Sequence, residues 1–200
     1  MTAVLLPTRP QPVPAKIAWS IVDFGGTLLG ELGGMAQRVN RQGNRWRVEL
    51  PLPAMEPGDA RIWCAKLNRG LRLGVRWQII QTALPTGSPG TPLVDGAGQA
   101  GTTLDCDGFN RGYVARIGQK FSIVTGGQRF VHEMAETCRA AADGTLTLDF
   151  EPPLRVSPGD DAVIEFGLPF MEGLLDRPAT GEFDADRLMR GLTIAIEETR

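Results

Sequence analysis

Leu93-Val94-Asp95-Gly96-Ala97-Gly98-Gln99-Ala100-Gly101-Thr102-Thr103-Leu104 opens the stretch that decides the fold. It runs on through Arg116-Ile117-Gly118-Gln119-Lys120-Phe121-Ser122-Ile123-Val124 and Gly126-Gly127-Gln128-Arg129-Phe130-Val131-His132. It closes on Glu151-Pro152-Pro153-Leu154-Arg155 and Asp161-Ala162-Val163-Ile164-Glu165-Phe166. Short apolar-rich segments at 102–106, 116–124, 129–135, 145–150 and 162–167 read as strands. Asp107-Gly108, Gly126-Gly127, Asp143-Gly144 and Pro158-Gly159 fall between them. Asp-Gly and Gly-Gly supply the positive backbone angles that tight hairpins need. The spacing predicts a meander that closes into a small barrel or a sandwich.

Working outward toward the N-terminus, residues 81–92 carry three prolines and two glycines and predict a loop between two lobes. Before it, Leu71, Leu73, Val75, Trp77 and Ile79 alternate, which predicts a strand over 71–80. Residues 58–69 carry Ala60, Trp63, Cys64 and Leu67 at helical spacing, with Pro57 and Asp59 at the start and Gly70 at the stop. This predicts the chain's one short helix, held by packing its apolar stripe on a sheet. Residues 35–39 and 45–50 predict a hairpin turned by Gln42-Gly43-Asn44, with Trp46, Val48 and Leu50 on the buried face. Residues 16–23 predict a first strand with Ile17, Trp19 and Ile21 on one face. Gly25-Gly26, Gly30 and Gly33-Gly34 then form a loop or a glycine-bent strand, without the spacing of a phosphate cradle.

The ends are less regular. Pro7, Pro10, Pro12 and Pro14 keep residues 1–15 out of sheet and helix interiors and predict an extended arm, disordered or lying on a neighbouring subunit. Residues 168–187 are irregular. The last segment reads either as a helical turn over 184–190 or, from the alternation of Leu192, Ile194 and Ile196, as a closing strand, which the pattern favours. The expected organisation is an arm (1–15), a β lobe with one helix (16–85), a β barrel or sandwich lobe (86–182) and a closing strand (183–200). The fold class is mainly β.

Composition narrows the function classes. Two hundred residues suffice for a sizeable core without disulfides or metals. Gly (25) and Pro (15) make a fifth of the chain, which suits the turns of a β protein. The net charge of −2 makes no demand for a nucleic-acid partner, and none is expected. Val4-Leu5-Leu6 is too short an apolar run for a signal peptide or a membrane span, so no membrane partner is expected. Cys64, Cys106 and Cys138 are odd in number and widely spaced, with one histidine in the chain. That argues against zinc, iron–sulfur and disulfide frameworks and for synthesis in a reducing compartment.

Each candidate site residue has a structural reading that outweighs the functional one. His132 falls in a strand pattern with no nearby partner, so a structural or surface histidine is favoured over a catalytic one. Asp105-Cys106-Asp107-Gly108-Phe109-Asn110 lacks the distal Glu of a calcium loop and reads as a turn. Asp160-Asp161 reads as solvated turn charge rather than an acid–base pair. Trp19, Trp46, Trp63 and Trp77 read as a shared core, while Phe109 and Tyr113 fall in a loop context that could present a ring outward. Arg38, Arg41, Arg45 and Arg47, which one hairpin could carry, read as a solvated face rather than a docking patch. No Walker motif, dinucleotide fingerprint or nucleophile elbow is present. No catalytic, cofactor-binding or metal-ligating residue is assigned, no cofactor is expected, and the chain is read as non-enzymatic.

One ordered series goes further. It comprises Gly43-Asn44-Arg45-Trp46 into Leu50-Pro51-Leu52-Pro53-Ala54-Met55, Asp59-Ala60 with Trp63-Cys64-Ala65-Lys66-Leu67, and Pro89-Gly90. It continues with Val94 to Gly101, Thr103-Leu104, Ile117-Gly118-Gln119-Lys120-Phe121-Ser122-Ile123, Phe130-Val131-His132, Pro152-Pro153-Leu154-Arg155 and Pro169-Phe170-Met171. Over residues 40–172 the chain resembles minor tail proteins of tailed phages, of the distal-tail or tail-tip group. The resemblance implies a structural virion protein at the tail tip, made in the host cytoplasm. It implies a homo-oligomeric ring, a hexamer in preference to a trimer, that joins the tail tube to the baseplate hub. It carries over no catalytic residue, and the chain lacks room for the carbohydrate-binding insertion of some such proteins. The alternatives are a minor tail hub protein and a small-ligand or carbohydrate-binding β barrel. A tail-tip hydrolase using His132 ranks last.

Overall fold

In the computed structural model, residues 3–29, 33–178, 181–183 and 188–199 are described. The alternative helical turn considered at 184–190 lies mostly outside them, as does Gly30. In chain order the elements are β1 (Val4–Leu5), β2 (Ala18–Val22), β3 (Gly26–Leu28), β4 (Gln37–Val39), β5 (Arg45–Pro51), α1 (Pro57–Leu73), β6 (Val75–Gln78), β7 (Gly90–Val94), β8 (Thr103–Phe109) and β9 (Val114–Ala115). There follow β10 (Lys120–Thr125), β11 (Gln128–Met134), β12 (Cys138–Arg139), β13 (Leu146–Glu151), β14 (Ile164–Glu165), β15 (Phe170–Leu175), β16 (Glu182–Phe183), β17 (Met189–Arg190) and β18 (Thr193–Glu198). The fold is mainly β with one helix, as the pattern predicts.

The stretch 93–166 forms a nearly closed barrel. Its six strands run β14-β10-β11-β13-β8-β7. A bridge between Leu93 and Val163 brings the two outer strands together, with the Val94 N–H on the Ala162 carbonyl and the Asp161 N–H on the Val94 carbonyl, both at 3.0 Å. On β13 Leu146, Leu148 and Phe150 point inward while Thr147 stays exposed, which is the period of two of a half-buried strand. Leu104, Phe121, Ile123 and Phe166 complete a filled interior, with the Phe121 and Phe166 rings stacked at 4.7 Å. Gly126-Gly127 makes the expected hairpin turn between β10 and β11. Asp107-Gly108 does not turn the chain. It lies inside β8, where Gly108 at φ +70° passes against the Thr91 carbonyl and the β7 register slips between Gly90 and Leu93. A glycine here permits a bulge where a Cβ would collide.

The first sheet has the order β1-β6-β15-β18-β5-β2, with β1 parallel to β6 and every other pair antiparallel. It curls strongly. The rings of Trp19 on β2 and Trp77 on β6, near opposite ends of that order, lie 5.9 Å apart. α1 sets Ala60, Trp63 and Leu67 into the same core as Trp46, Trp77, Leu50 and Ile196. All four tryptophans therefore share one core, as expected. Each fully buried large side chain contributes on the order of 2 kcal/mol.

At five further places the structure departs from the sequence reading. β4 pairs with β3, not with β5, so 35–39 and 45–50 are no hairpin; β5 is flanked by β2 and β18 instead. α1 runs on to Leu73, so residues 71–73 are helical rather than strand. Gly70 is buried inside the helix against Val75, and Gly74 at φ +78° is the stop, its N–H on the Gly70 carbonyl at 2.8 Å. The proline arm is not loose: β1 joins the first sheet, Leu6 is fully buried, and Trp63 Nε1 donates to the Pro12 carbonyl at 3.2 Å. β15, assigned by sequence to the second lobe, hydrogen-bonds in the first sheet between β6 and β18. The closing strand is present, and it is a central strand of that sheet, between β15 and β5.

Candidate functional site

The chemistry of the molecule is concentrated where the barrel meets the first sheet. Leu192, Ile194 and Ile196 set a buried phase, and Glu198 falls on that phase at the end of β18. Its carboxylate is fully buried. Oε1 accepts the Val131 N–H from the barrel at 2.7 Å, and Oε2 accepts the Trp46 N–H from the first sheet at 3.0 Å. Arg155 of the barrel donates from Nη2 to the same Oε2 at 2.8 Å and from Nη1 to the Thr199 carbonyl at 3.1 Å. Burial pushes the Glu198 carboxyl up to about 7, against the opposing pull of Arg155 and the two backbone donors. Burial likewise lowers Arg155. One carboxylate thus ties three segments distant in sequence into one joint.

Two further groups extend the joint. Lys120 on β10 places its ammonium 4.8 Å from the Trp19 ring and 4.4 Å from the Trp46 ring, and it is paired with Glu133. Burial lowers it to about 8. Both ring faces offer the cation attraction that part of its lost hydration requires. Arg129 holds Glu165 with Nε and Nη2 (2.9 and 2.8 Å), while Ser122 donates to Glu165 at 2.7 Å and accepts the Phe170 N–H at 3.2 Å. The Gln81 side-chain oxygen accepts the Lys120 N–H at 3.0 Å, tying the inter-lobe loop to the barrel.

The residues singled out by sequence have definite places. His132 is buried between Phe121 and Phe150, its Nδ1 2.8 Å from the Pro152 carbonyl, and burial pushes it down to about 3. Phe109 and Tyr113 are buried and stacked on each other at 5.6 Å rather than turned outward. Asp105 accepts the Thr147 hydroxyl across β8 and β13 at 2.7 Å, and Asn110 donates to the Ser88 carbonyl at 3.0 Å. Asp160 accepts the Gly96 N–H at 2.8 Å in the expected turn. The arginine group is dispersed. Arg38 pairs with Asp23, Arg45 with Glu197 at 2.6 Å, and Arg47 with Asp176 at 2.8 Å. Among the described residues no group of three His, Cys, Asp or Glu side chains is set to hold a metal ion, and no helix is long and apolar enough to cross a membrane.

Two surface features complete the picture. The β3–β4 hairpin carries Leu28 (59% exposed), Leu29 (75%) and Met35 (96%) at its far end. An open groove of about 680 Å³ runs between the arm and the end of β6, floored by Val13, Ile17, Trp77 and Ile80. The sequence reading missed Glu198 and Lys120. The legible signal for Glu198 was an acid on the apolar phase of a strand. No protein-family profile matches the chain, and no curated protein matches it.

Proposed function

We propose that the chain is a structural subunit of a phage tail tip: a distal tail protein that closes into a ring, a hexamer, between the tail tube and the baseplate hub. The observation that carries this reading is where the quoted motifs meet. Trp46, Lys120, Val131, Arg155 and Phe170 belong to five separate motifs spread over residues 43–171. All five lie at the joint between barrel and first sheet. The motifs that carry the resemblance are thus among those that lock this chain's two β lobes together, and a rigid lock suits a load-bearing part. The barrel interior is filled by Phe121, Phe150, Phe166 and their neighbours, which leaves its function to its outer surfaces. Three large apolar side chains exposed on one hairpin are more than scattered surface residues need, and suit a contact between subunits. Antibody labelling of intact phage particles tests the reading. Label confined to the distal end of the tail is expected; label on the capsid, or none on particles that infect, contradicts it.

A further inference from the structure

We propose that the groove between the arm and β6 takes up an extended peptide of another protein, added there as a strand and alternating apolar side chains with carboxylates. The inference goes beyond the tail-tip reading above and does not depend on it.

The groove lies in the gap of an unclosed sheet. One wall is the chain entering β2, the other the end of β6 and the residues after it. β2 is the last strand of the order and pairs with β5 alone. β6 has β1 beside it as far as Arg76, and from Trp77 on it pairs with β15 alone. Past the strand ends, Ile17 on one wall and Ile80 and Thr82 on the other make no backbone hydrogen bond to a described residue. The floor is apolar, with the Trp77 ring 5.9 Å from that of Trp19 on β2. Two open strand edges flanking an apolar trough suit an added strand: its backbone pairs with an edge while alternate side chains enter the trough.

The charge of the groove decides what that strand carries. The whole chain has a net charge of −2, yet Arg9 and Lys16 line the groove with no Asp or Glu among the lining residues. Both side chains are exposed, and neither is paired with an acid among the described residues. An adjoining cleft of about 280 Å³ shares Ile17, Ile80 and Thr82, and it too is lined without an acid. Carboxylates on the added strand accept charge-assisted hydrogen bonds from Arg9 and Lys16, whereas basic side chains there are repelled.

The donor is a separate protein because the clearest runs of this kind in the described chain are already in use. Leu104-Asp105-Cys106-Asp107 on β8 and Leu148-Asp149-Phe150-Glu151 on β13 alternate apolar residues with acids, and both strands are paired on either side within the barrel. An amphiphile with one acidic head matches the charge of the groove but covers the two edges without pairing them, which costs their hydration. A peptide supplies the missing backbone partners.

The test titrates the full chain against fluorescein-labelled peptides of about six residues, the length of an ordinary strand, read by fluorescence polarisation. One probe alternates valine with glutamate, a second alternates valine with lysine, and a third is the acidic probe N-methylated at every amide. One variant carries Arg9→Glu and Lys16→Glu, the other Ile80→Asp. All three positions are exposed, and unchanged melting temperatures check the fold. Wild type is expected to bind the acidic probe at least about tenfold more tightly than the basic one, and the double variant to reverse that preference. Ile80→Asp and N-methylation are each expected to weaken the acidic probe at least about tenfold. No binding of the acidic probe at about 1 mM overturns the proposal, as does an acidic preference that survives in the double variant. Undiminished binding of the N-methylated probe overturns it in favour of an amphiphile trough. Self-association of wild type that Ile80→Asp abolishes overturns it in favour of a second copy. A failed probe leaves the tail-tip reading standing, since that reading rests on the joint between the lobes and is tested on intact particles.

Discussion

At position 132 an imidazole lies between two phenylalanine rings with one nitrogen bonded to a carbonyl. At position 198 a carboxylate is buried among three donors and the end of a strand. These two groups shift in opposite senses and act oppositely on stability. His132 is held down to about 3 from 6.5, so its contribution is fully present above pH 6.5 and is lost as pH falls toward 3. Glu198 is held up to about 7 from 4.5, so its contribution is fully present below pH 4.5 and is lost as pH rises through 7. Between pH 4.5 and 6.5 the two slopes offset each other. His132→Phe keeps the ring packing and removes the first slope. The unfolding free energy of that variant from urea titrations is expected to fall steadily from pH 4.5 to 7, by up to roughly 1.4 kcal/mol per pH unit, where wild type stays near flat up to pH 6.5. Removing Arg155 acts on the same joint. Arg155→Met leaves Glu198 buried without its cation and is expected to cost about 3 kcal/mol or more, read by urea unfolding at pH 8. Of these residues, the structural character of His132 was legible from its place in a strand. The Arg155–Glu198 pair was not, because its partners are 43 residues apart and pairing between loop and strand leaves no periodic trace.

At the scale of elements, the local rules worked wherever the neighbour in sequence is also the neighbour in space. The β10–β11 hairpin, the start of α1 and the alternation of β13 and β18 follow from period and turn chemistry alone. They failed where pairing skips along the chain. β5 takes β18 as a partner from the far end of the molecule, and nothing in Arg45–Pro51 distinguishes that strand from a hairpin half. Gly70 misled for a physical reason: a glycine stops a helix when its backbone turns left-handed, but here it makes room for Val75. Gly173 is a sharper case. A Cβ at this position of β15 would overlap the Glu197 carbonyl across the β15–β18 ladder. Gly173→Ala is expected to lose about 3 kcal/mol, with hydrogen-exchange protection falling first along β18. Gly126→Ala, whose Cβ would meet open space but at φ +59°, should cost only about 1 kcal/mol.

At the scale of the whole molecule, two β bodies are fixed to each other by the Glu198 carboxylate, the caged Lys120 and the Ser122 hydroxyl that accepts the Phe170 N–H. Mainly β class, one helix and a closing barrel were legible in the sequence. The assignment of β15 to the first sheet was not, since lobes were divided by chain order and the first sheet is completed by the chain's return. That return also changes what the surfaces offer. The arm and the terminal strand are used within the chain, so the surfaces left open among the described residues include the β3–β4 hairpin, the groove beside the arm and the outer side of β2. The ring subunit proposed for this chain has a direct test. Native mass spectrometry of the wild-type chain across a concentration series tests it most directly. One closed species at six times the chain mass, with no ladder beyond it, is the predicted result; a monomer persisting at the highest concentration would contradict the account.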